Sequence, residues 1–231
     1  MKAILAMLSM ISLSVVLSGC GGKSKTLRLT REDLEAHRYV LVVPAGPVVA
    51  QLDVGLPGKA LLKGLEKILE NDPKGSFAES LRELGFLPRD TTAAAAVAAL
   101  QELGWQTALH GEAVEEPGKK FDKVALPAAL CPAAAAAGAD SVLLLRSRLV
   151  LDIGATEALA RTDHWGHFFS CPEGKLLWRG KNRRKLSLNR FIVDAAKAAL
   201  EKKTTLADFL GSLTRLTQDS GRELVRAGLS R

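Results

Sequence analysis

Aromatic side chains are scarce in this chain of 231 residues. They make up 5% of the sequence, and Tyr39 is its only tyrosine. Proteins that bind single-stranded nucleic acid stack the bases on several aromatic rings, so this composition argues against that function. Cysteine is also rare, at three residues. Hydrophobic residues at 47% and charged residues at 25% are nonetheless those of an ordinary globular protein, which excludes a chain disordered throughout.

Motifs for phosphate binding or for an activated nucleophile are missing as well. Gly46, Gly55 and Gly58 form neither the G-x-G-x-x-G fingerprint of dinucleotide-binding folds nor a P-loop. The chain has no G-x-S-x-G, the motif that exposes a nucleophilic serine in α/β hydrolases. We therefore expect no catalytic residue and no cofactor.

Histidines are the remaining candidates for chemistry. Asp163, His164 and His167 are residue types that bind zinc, but on a strand the two histidines point to opposite faces and do not converge on one ion. His110 follows a predicted strand and could act as a base, but no serine or cysteine motif accompanies it. We expect no metal site, and these histidines define only an alternative hypothesis, a hydrolase that acts on cell-wall material.

The N-terminus carries a short apolar segment. Lys2 precedes an uncharged run from Ala3 to Leu17, and small residues follow. A bilayer-spanning helix needs about 20 apolar residues, so this run is short for an anchor. A positive start, a short apolar core and a small-residue end are typical of a secretory signal. We therefore predict that residues 1–19 are a signal peptide.

The end of this segment, Leu17-Ser18-Gly19-Cys20, resembles a bacterial lipobox. In proteins with that motif the cysteine is acylated and the chain is cut just before it, which implies that Cys20 is the first mature residue and carries a membrane lipid. The other interpretation is an ordinary secretory signal followed by a chance cysteine. Gly21 stands where an aspartate favours inner-membrane retention, so we expect an anchor in the outer membrane, facing the periplasm.

Two further cysteines, Cys131 and Cys171, would then lie in a compartment that permits disulfides. Cys131 is on a predicted helix and Cys171 is at the end of a predicted strand. Their proximity is possible, but nothing in the sequence requires it. The expectation is that they do not form a bond.

The distribution of apolar residues predicts one α/β domain. Arg38–Val43 reads as a buried strand stopped by Pro44, and Ala45–Pro57 reads as irregular. The other predicted strands are residues 105–109, 141–153, 164–171 and 175–179, and the predicted helices are 59–70, 76–84, 90–103, 127–137, 189–202 and 206–227. Gly221 is expected to weaken the last helix.

This order predicts the α/β (α+β) class: a mixed β-sheet with an antiparallel meander, covered by helices, and an extra C-terminal helix. The expected divisions are residues 1–19 as the signal peptide, 20–37 as a lipidated tether, 38–202 as the α/β domain and 203–231 as a C-terminal helical segment. Trp178 is expected inside the sheet, beside the alanine-rich or C-terminal helices, with Leu177 facing away from it.

Three short motifs accompany the lipobox: YVLVVP at the first strand, Gly138-Ala139-Asp140 before SVLLL, and GKLLWRG from Gly174 to Gly180. Over residues 38–200 the chain resembles bacterial envelope lipoproteins with a domain like the N-terminal domain of TolB, a group that includes CsgG-like, LpoB-like and GNA1162-like proteins. The resemblance implies a non-enzymatic binding, assembly or accessory factor. A CsgG-type pore is disfavoured, because it needs two membrane hairpins and this chain offers at most one.

A basic segment follows the hairpin. Seven basic residues and no acidic residue lie within sixteen positions: Lys175, Arg179, Lys181, Arg183, Arg184, Lys185 and Arg190. We expect Arg179, Lys181, Arg183, Arg184 and Lys185 to be exposed, at the edge of the sheet or beyond its end. Their charge is offset either by the acidic loop Glu112–Glu116 or by an anionic partner such as an envelope protein, a cell-wall polymer or lipid headgroups. A solvated strand end is the plain alternative, and nucleic acid is excluded by the compartment.

Replacing Cys20 by serine should abolish membrane partitioning, because this one residue carries the whole predicted anchor. The measurement is the fraction of the chain that sediments with membranes after a high-salt wash. If Cys20→Ser still sediments with them, the chain is not anchored through this residue.

Overall fold

The computed structural model of the chain describes residues 29–54, 81–83, 85–114, 125–153, 157–188 and 206–230. The helices with described bounds are α1 (Arg31–Ala36), α2 (Pro88–Glu102), α3 (Ala125–Ala136) and α4 (Leu206–Leu229). The strands are β1 (Tyr39–Val54), β2 (Gln106–Leu109), β3 (Ser141–Ile153), β4 (Ala158–Ser170) and β5 (Leu176–Ser187). The helices predicted at 59–70 and 189–202, and most of the one at 76–84, lie outside the described residues.

The strands form one mixed sheet in the order β2-β1-β3-β4-β5. β1 runs parallel to β2 and β3, while β3, β4 and β5 form an antiparallel meander. The chain passes through α2 and α3 between the parallel strands, as such connections require. The predicted α/β class, with its mixed sheet, meander and C-terminal helix, is confirmed.

β1 does not stop at Pro44, contrary to the prediction. The strand continues to Val54 and pairs with β3 on both sides of a register shift between Ala45 and Val49. The carbonyl of Pro44 faces the β2 side, where it accepts the N–H of Val114. The missing N–H of Pro44 falls on that side too, beyond the end of β2, so no ladder bond is lost.

Helices α2 and α4 cover one face of the sheet. Their buried side chains form an apolar cluster with the strands, which includes Ala96, Leu100, Leu145, Phe168, Leu224 and Val225. Helix α4 continues through Gly221, which the sequence predicts to be a weak point of the helix. A Cβ on Gly221 would lie 3.2 Å from Cγ2 of Thr92 in α2, so this glycine is where the two helices touch.

Helix α3 covers the opposite face near β1, and the motif Gly138-Ala139-Asp140 connects it to the sheet. Gly138 ends the helix with a φ of +74°, which favours glycine. Oδ2 of Asp140 then accepts the backbone N–H groups of Arg38 at 3.0 Å and Tyr39 at 3.3 Å. The carboxylate therefore satisfies the amides at the start of the interior strand β1, which explains this motif structurally.

Cys131 and Cys171 form a disulfide, and their Cα atoms are 5.4 Å apart. The expectation that they stay unbonded is therefore wrong. The packing of α3 on the sheet brings Cys131 to the end of β4, where the N–H of Cys171 also donates to the carbonyl of Asp140 at 2.9 Å. The sequence separation of 40 corresponds to about 4 kcal/mol of chain entropy removed from the unfolded state.

Trp178 is buried, at 4% exposure, as predicted. A Cβ placed on Gly166 of β4, Gly180 of β5 or Gly228 of α4 would lie 2.6, 2.2 and 2.2 Å from atoms of the indole ring. Glycines at these positions therefore leave the room that the ring occupies. Trp178 of β5 therefore packs against both β4 and the C-terminal helix α4.

Leu177 does not face away from Trp178. Phe168 of β4 pairs with Trp178 and Phe169 pairs with Leu176, so Leu177 is an extra residue in a β-bulge. Leu177 and Trp178 are both buried in the same apolar cluster. The bulge resets the alternation of side chains along the rest of β5.

The ends of the predicted domain also have described structure. Within the predicted tether, Thr30 and Asp33 form a capping box at the start of α1, and Leu34 packs against the core. Leu213 and Leu224 of α4 are buried against the sheet. In the described part of the chain, no helix is long and apolar enough to cross a membrane. The domain boundaries stay predictions.

Replacing Trp178 by alanine should cost about 3–5 kcal/mol of unfolding free energy, because it empties the space between three glycines. Urea denaturation of the full chain measures this loss. Leu109→Ala is the matched control, since Leu109 is 51% exposed and its truncation should change stability little. If both variants lower the unfolding free energy by a similar small amount, the packing of the Trp178 ring does not stabilise β5.

Candidate functional site

The antiparallel strands β3, β4 and β5 place most of the candidate residues on one face of the sheet. Opposite residues of neighbouring strands line up in rows, because successive side chains on each strand alternate between faces. Two such rows are Arg148–Asp163–Arg183 and Arg146–Trp165–Lys181. Each row contains one residue from the basic segment and one arginine from β3.

We call this surface the basic face. It carries seven basic side chains: Arg146, Arg148, Arg161, Arg179, Lys181, Arg183 and Lys185. Within the described strands β3 to β5, two acidic side chains point the same way, those of Asp152 and Asp163. Within these three strands, seven positive and two negative side chains leave a net of five positive charges.

Asp163 lies beneath the basic face, with its side chain 3% exposed. Its Oδ1 accepts a hydrogen bond from Nε of Arg183, and its Oδ2 lies 3.4 Å from Nε of Arg161. A buried carboxylate needs such partners, because its charge has lost its water. Arg183 remains 48% exposed, and Lys181 and Lys185 are exposed. The positive charge of these three side chains is therefore accessible to solvent.

Trp165 lies between two cations on the basic face. Cζ of Arg146 is 5.1 Å from the centre of its ring, and Nζ of Lys181 is 4.9 Å away. Both distances are those of cation–π contacts. The two cations come from the flanking strands β3 and β5, so the ring links the side chains of all three strands.

His167 lies half-buried on this face, and its pKa is lowered first by burial and then by the neighbouring positive charges. Burial lowers that pKa to about 4, and the charges of Arg179 and Arg146 act in the same direction. The ring of His167 stacks on Phe169. His164 lies on the opposite face, so the predicted divergence of the two histidines is confirmed.

Arg184 does not belong to the basic face. It turns towards α4, where it donates to both carboxylate oxygens of Glu223 and to Asp219 at 3.3 Å. The bond to Arg184 also lowers the pKa of Glu223. Within the described residues, the internal offset of the basic segment is formed by Asp163 and by two acids of α4. Side chains alternate between the two faces along β5, so Arg183 lies beside Asp163 and Arg184 lies beside the acids of α4. Glu115 and Glu116 of the acidic loop, the internal offset that the sequence suggested, lie outside the described residues.

His164 is part of a buried polar cluster beneath α2 and α4. Its Nδ1 lies 3.0 Å from Oγ of Ser147 and 3.3 Å from Oγ1 of Thr92. Burial lowers the pKa of His164 to about 4, so the ring is neutral at pH 7. A serine–histidine pair occurs here, but His164 is 1% exposed and Ser147 is 3% exposed, so neither meets solvent.

The other candidates for chemistry are separate from this pair. Nδ1 of His110 lies 2.8 Å from the carbonyl of Glu112 in its own turn. Among the described residues, no group of three histidine, cysteine, aspartate or glutamate side chains could hold a metal ion. Cys20, the proposed lipid site, lies outside the described residues, as does Arg190 of the basic segment.

Sequence reasoning missed three members of the basic face: Arg146, Arg148 and Arg161. They come from β3 and β4, outside the basic segment, and join it only through cross-strand pairing. The available signal was the alternation Arg146-Ser147-Arg148 in β3, which puts both arginines on the face opposite the apolar core.

Comparisons with known proteins give structural neighbours but no sequence family. No protein-family model matches the chain, and a search of curated proteins finds no match. The neighbours include the PelC dodecamer from Paraburkholderia phytofirmans, at 9% identity and a TM-score of 0.40, with 84% of this chain and 90% of that chain covered. Lipoprotein GNA1162 from Neisseria meningitidis is similar at 13% identity and a TM-score of 0.29, with 71% and 96% covered.

The C-terminal domain of LpoB from Escherichia coli is a further neighbour, at 12% identity and a TM-score of 0.19, with 64% of this chain and 82% of that chain covered. GNA1162 and LpoB are two of the proteins whose groups the sequence motifs resemble. The structural neighbours of this chain thus include bacterial lipoproteins.

Stability should fall as the pH drops from 6.5 towards 4. In this window an unfolded histidine with the ordinary pKa of 6.5 takes up a proton, while buried His164 and His167, with pKa values of about 4, do not. The unfolded state therefore binds more protons, and the loss approaches about 3 kcal/mol per histidine at the lower end.

The measurement is the free energy of unfolding of His164→Gln, His167→Gln and wild type at both ends of that window. Each variant should lose less stability on acidification than wild type does. Equal losses in all three proteins would contradict the assignment of these two residues as buried neutral histidines.

Proposed function

We propose that this chain is a lipid-anchored protein of the bacterial outer membrane that faces the periplasm and binds an anionic partner through the basic face. It acts as a binding or assembly factor for an envelope complex. The main support is the concentration of seven basic side chains on one face of β3, β4 and β5. A surface of one charge sign attracts partners of the opposite sign and speeds their association.

Two features support the proposed compartment. The lipobox ending in Cys20 follows a signal-like segment, and Gly21 after it favours the outer membrane. The disulfide between Cys131 and Cys171 is a bond typical of oxidising compartments such as the periplasm. The partner is then an envelope protein or a cell-wall polymer with negative charge, since nucleic acid is not found there.

Binding fits the geometry better than hydrolysis does. A catalytic pair must touch its substrate, whereas His164 and Ser147 are buried beneath α2 and α4. His167 is on the other face, and His110 bonds within its own turn. The basic face, by contrast, presents exposed cations at Lys181, Arg183 and Lys185.

The double substitution Lys181→Gln with Lys185→Gln tests the proposed function. It removes two exposed charges of the basic face, and the ion pairs of Asp163 stay intact. Binding of the full chain to detergent-solubilised envelope fractions should fall several-fold at low salt, with the melting temperature unchanged. Binding of the wild type should weaken as NaCl is raised.

Arg184→Gln is the matched control, since it removes a charge from the same strand but on the opposite face. It breaks the contacts with Glu223 and Asp219, so it should lower the melting temperature and leave binding unchanged. If the double lysine variant binds like wild type, or if Arg184→Gln reduces binding equally, the basic face is not the contact surface.

A further inference from the structure

β5 is an edge strand of the described sheet. The N–H of Leu188, just after the strand, donates to the carbonyl of Ala158 at 2.7 Å. In an antiparallel pair such bonds recur at every second residue, so the even-numbered residues of β5 bond to β4. The N–H and C=O groups of Lys181 and Arg183 therefore point away from β4, along the edge. Their side chains belong to the basic face.

The charge pattern of this edge determines which strand it can accept. A second copy of β5 would place cations opposite cations, which destabilises a cross-strand pair. A strand with acidic residues would place each carboxylate beside Lys181, Arg183 or Lys185 on the basic face. The edge thus excludes its own copy and fits an acidic segment.

A groove of about 570 Å³ runs beside the same edge on the opposite face, between β5 and α4. Its lining residues are Trp178, Gly180, Lys181 and Asn182 of the strand and Glu223, Leu224, Arg226 and Ala227 of the helix. Glu223 and Arg226 form ion pairs with Arg184 and Glu102, and the apolar part of the lining comes from Trp178, Leu224 and Ala227. Gly180 contributes no side chain, so the groove beside it lies next to the indole ring of Trp178. Every second residue of an added strand would point towards this groove, and the nearby apolar surface suits an apolar side chain.

We propose that β5 accepts an additional β-strand from another protein, an extended segment in which acidic and apolar residues alternate. The inference rests on the proposed function, in which the basic face binds an anionic partner, and it identifies that partner as a protein segment. The acidic residues lie on the basic face, the apolar residues enter the groove beside Trp178, and the backbones pair along the edge. Strand addition of this kind takes affinity from main-chain bonds and specificity from alternate side chains.

The probe is a fluorescently labelled ten-residue peptide, capped at both ends, that alternates Glu and Val. Its binding to the full chain is measured by fluorescence anisotropy. Two control peptides are the Lys–Val counterpart and the Glu–Val peptide with N-methyl groups on alternate amides. The Glu–Val peptide should bind, the Lys–Val peptide should not, and N-methylation on the pairing side should weaken binding about tenfold or more.

Lys181→Pro and Lys181→Gln form a matched pair of variants. Both remove the charge, but only proline removes the outward N–H, and an edge strand tolerates proline where its N–H does not pair with a neighbour. Lys181→Pro should weaken binding of the Glu–Val peptide about tenfold more than Lys181→Gln does. Thermal melting of both variants checks that β5 stays folded, and the N-methylated peptide tests the backbone bonds without any change in the protein.

Equal binding of the methylated and unmethylated peptides would overturn the inference, because backbone pairing would then contribute nothing. Absence of peptide binding would overturn it as well. If the double lysine variant still loses salt-sensitive envelope binding in that case, the proposed function stands and the partner is of another kind. Self-association that Lys181→Pro abolishes would instead assign the edge to a second copy and would also overturn the inference.

Discussion

The packing of Trp178 against three glycines fixes the position of β5, and the surface chemistry of the molecule depends on it. The ring touches β4 through Gly166 and α4 through Gly228, so the strand cannot slide without creating a clash or a void. A shift of one residue would turn Lys181 towards α4 and Arg184 outwards. The bulge at Leu177 and the indole ring together determine which charges face outwards.

The basic segment consequently serves two purposes. On one side of β5, Arg184 binds the acids of α4 and holds the C-terminal helix to the sheet edge. On the other side, the remaining cations join the arginines of β3 and β4 around Trp165, and only part of their charge is offset by buried Asp163. A cluster that looks uniform along the chain is therefore divided between stability and the proposed binding surface.

Local periodicity predicted much of the fold but only part of this surface. The alternation in β3, the alanine-rich helix α2 and the burial of Trp178 were all foreseeable, because each depends on neighbours in sequence or on one side chain's size. The passage of β1 through Pro44 and the bond between Cys131 and Cys171 depend on which segment lies alongside, which spacing does not encode. The same reason kept Arg146 and its neighbours on β3 and β4 out of the predicted site.

Asp140 has a consequence for when this chain can fold. It lies 102 residues after Arg38, whose N–H it binds, and the central pairing of β1 with β3 spans a similar separation. Contacts so distant form slowly and only after most of the chain is available. A polypeptide that crosses a membrane N-terminus first therefore emerges with β1 lacking its carboxylate partner and its β3 neighbour. If this chain is exported as proposed, the long separation between β1 and Asp140 would delay formation of the sheet until most of the domain has crossed.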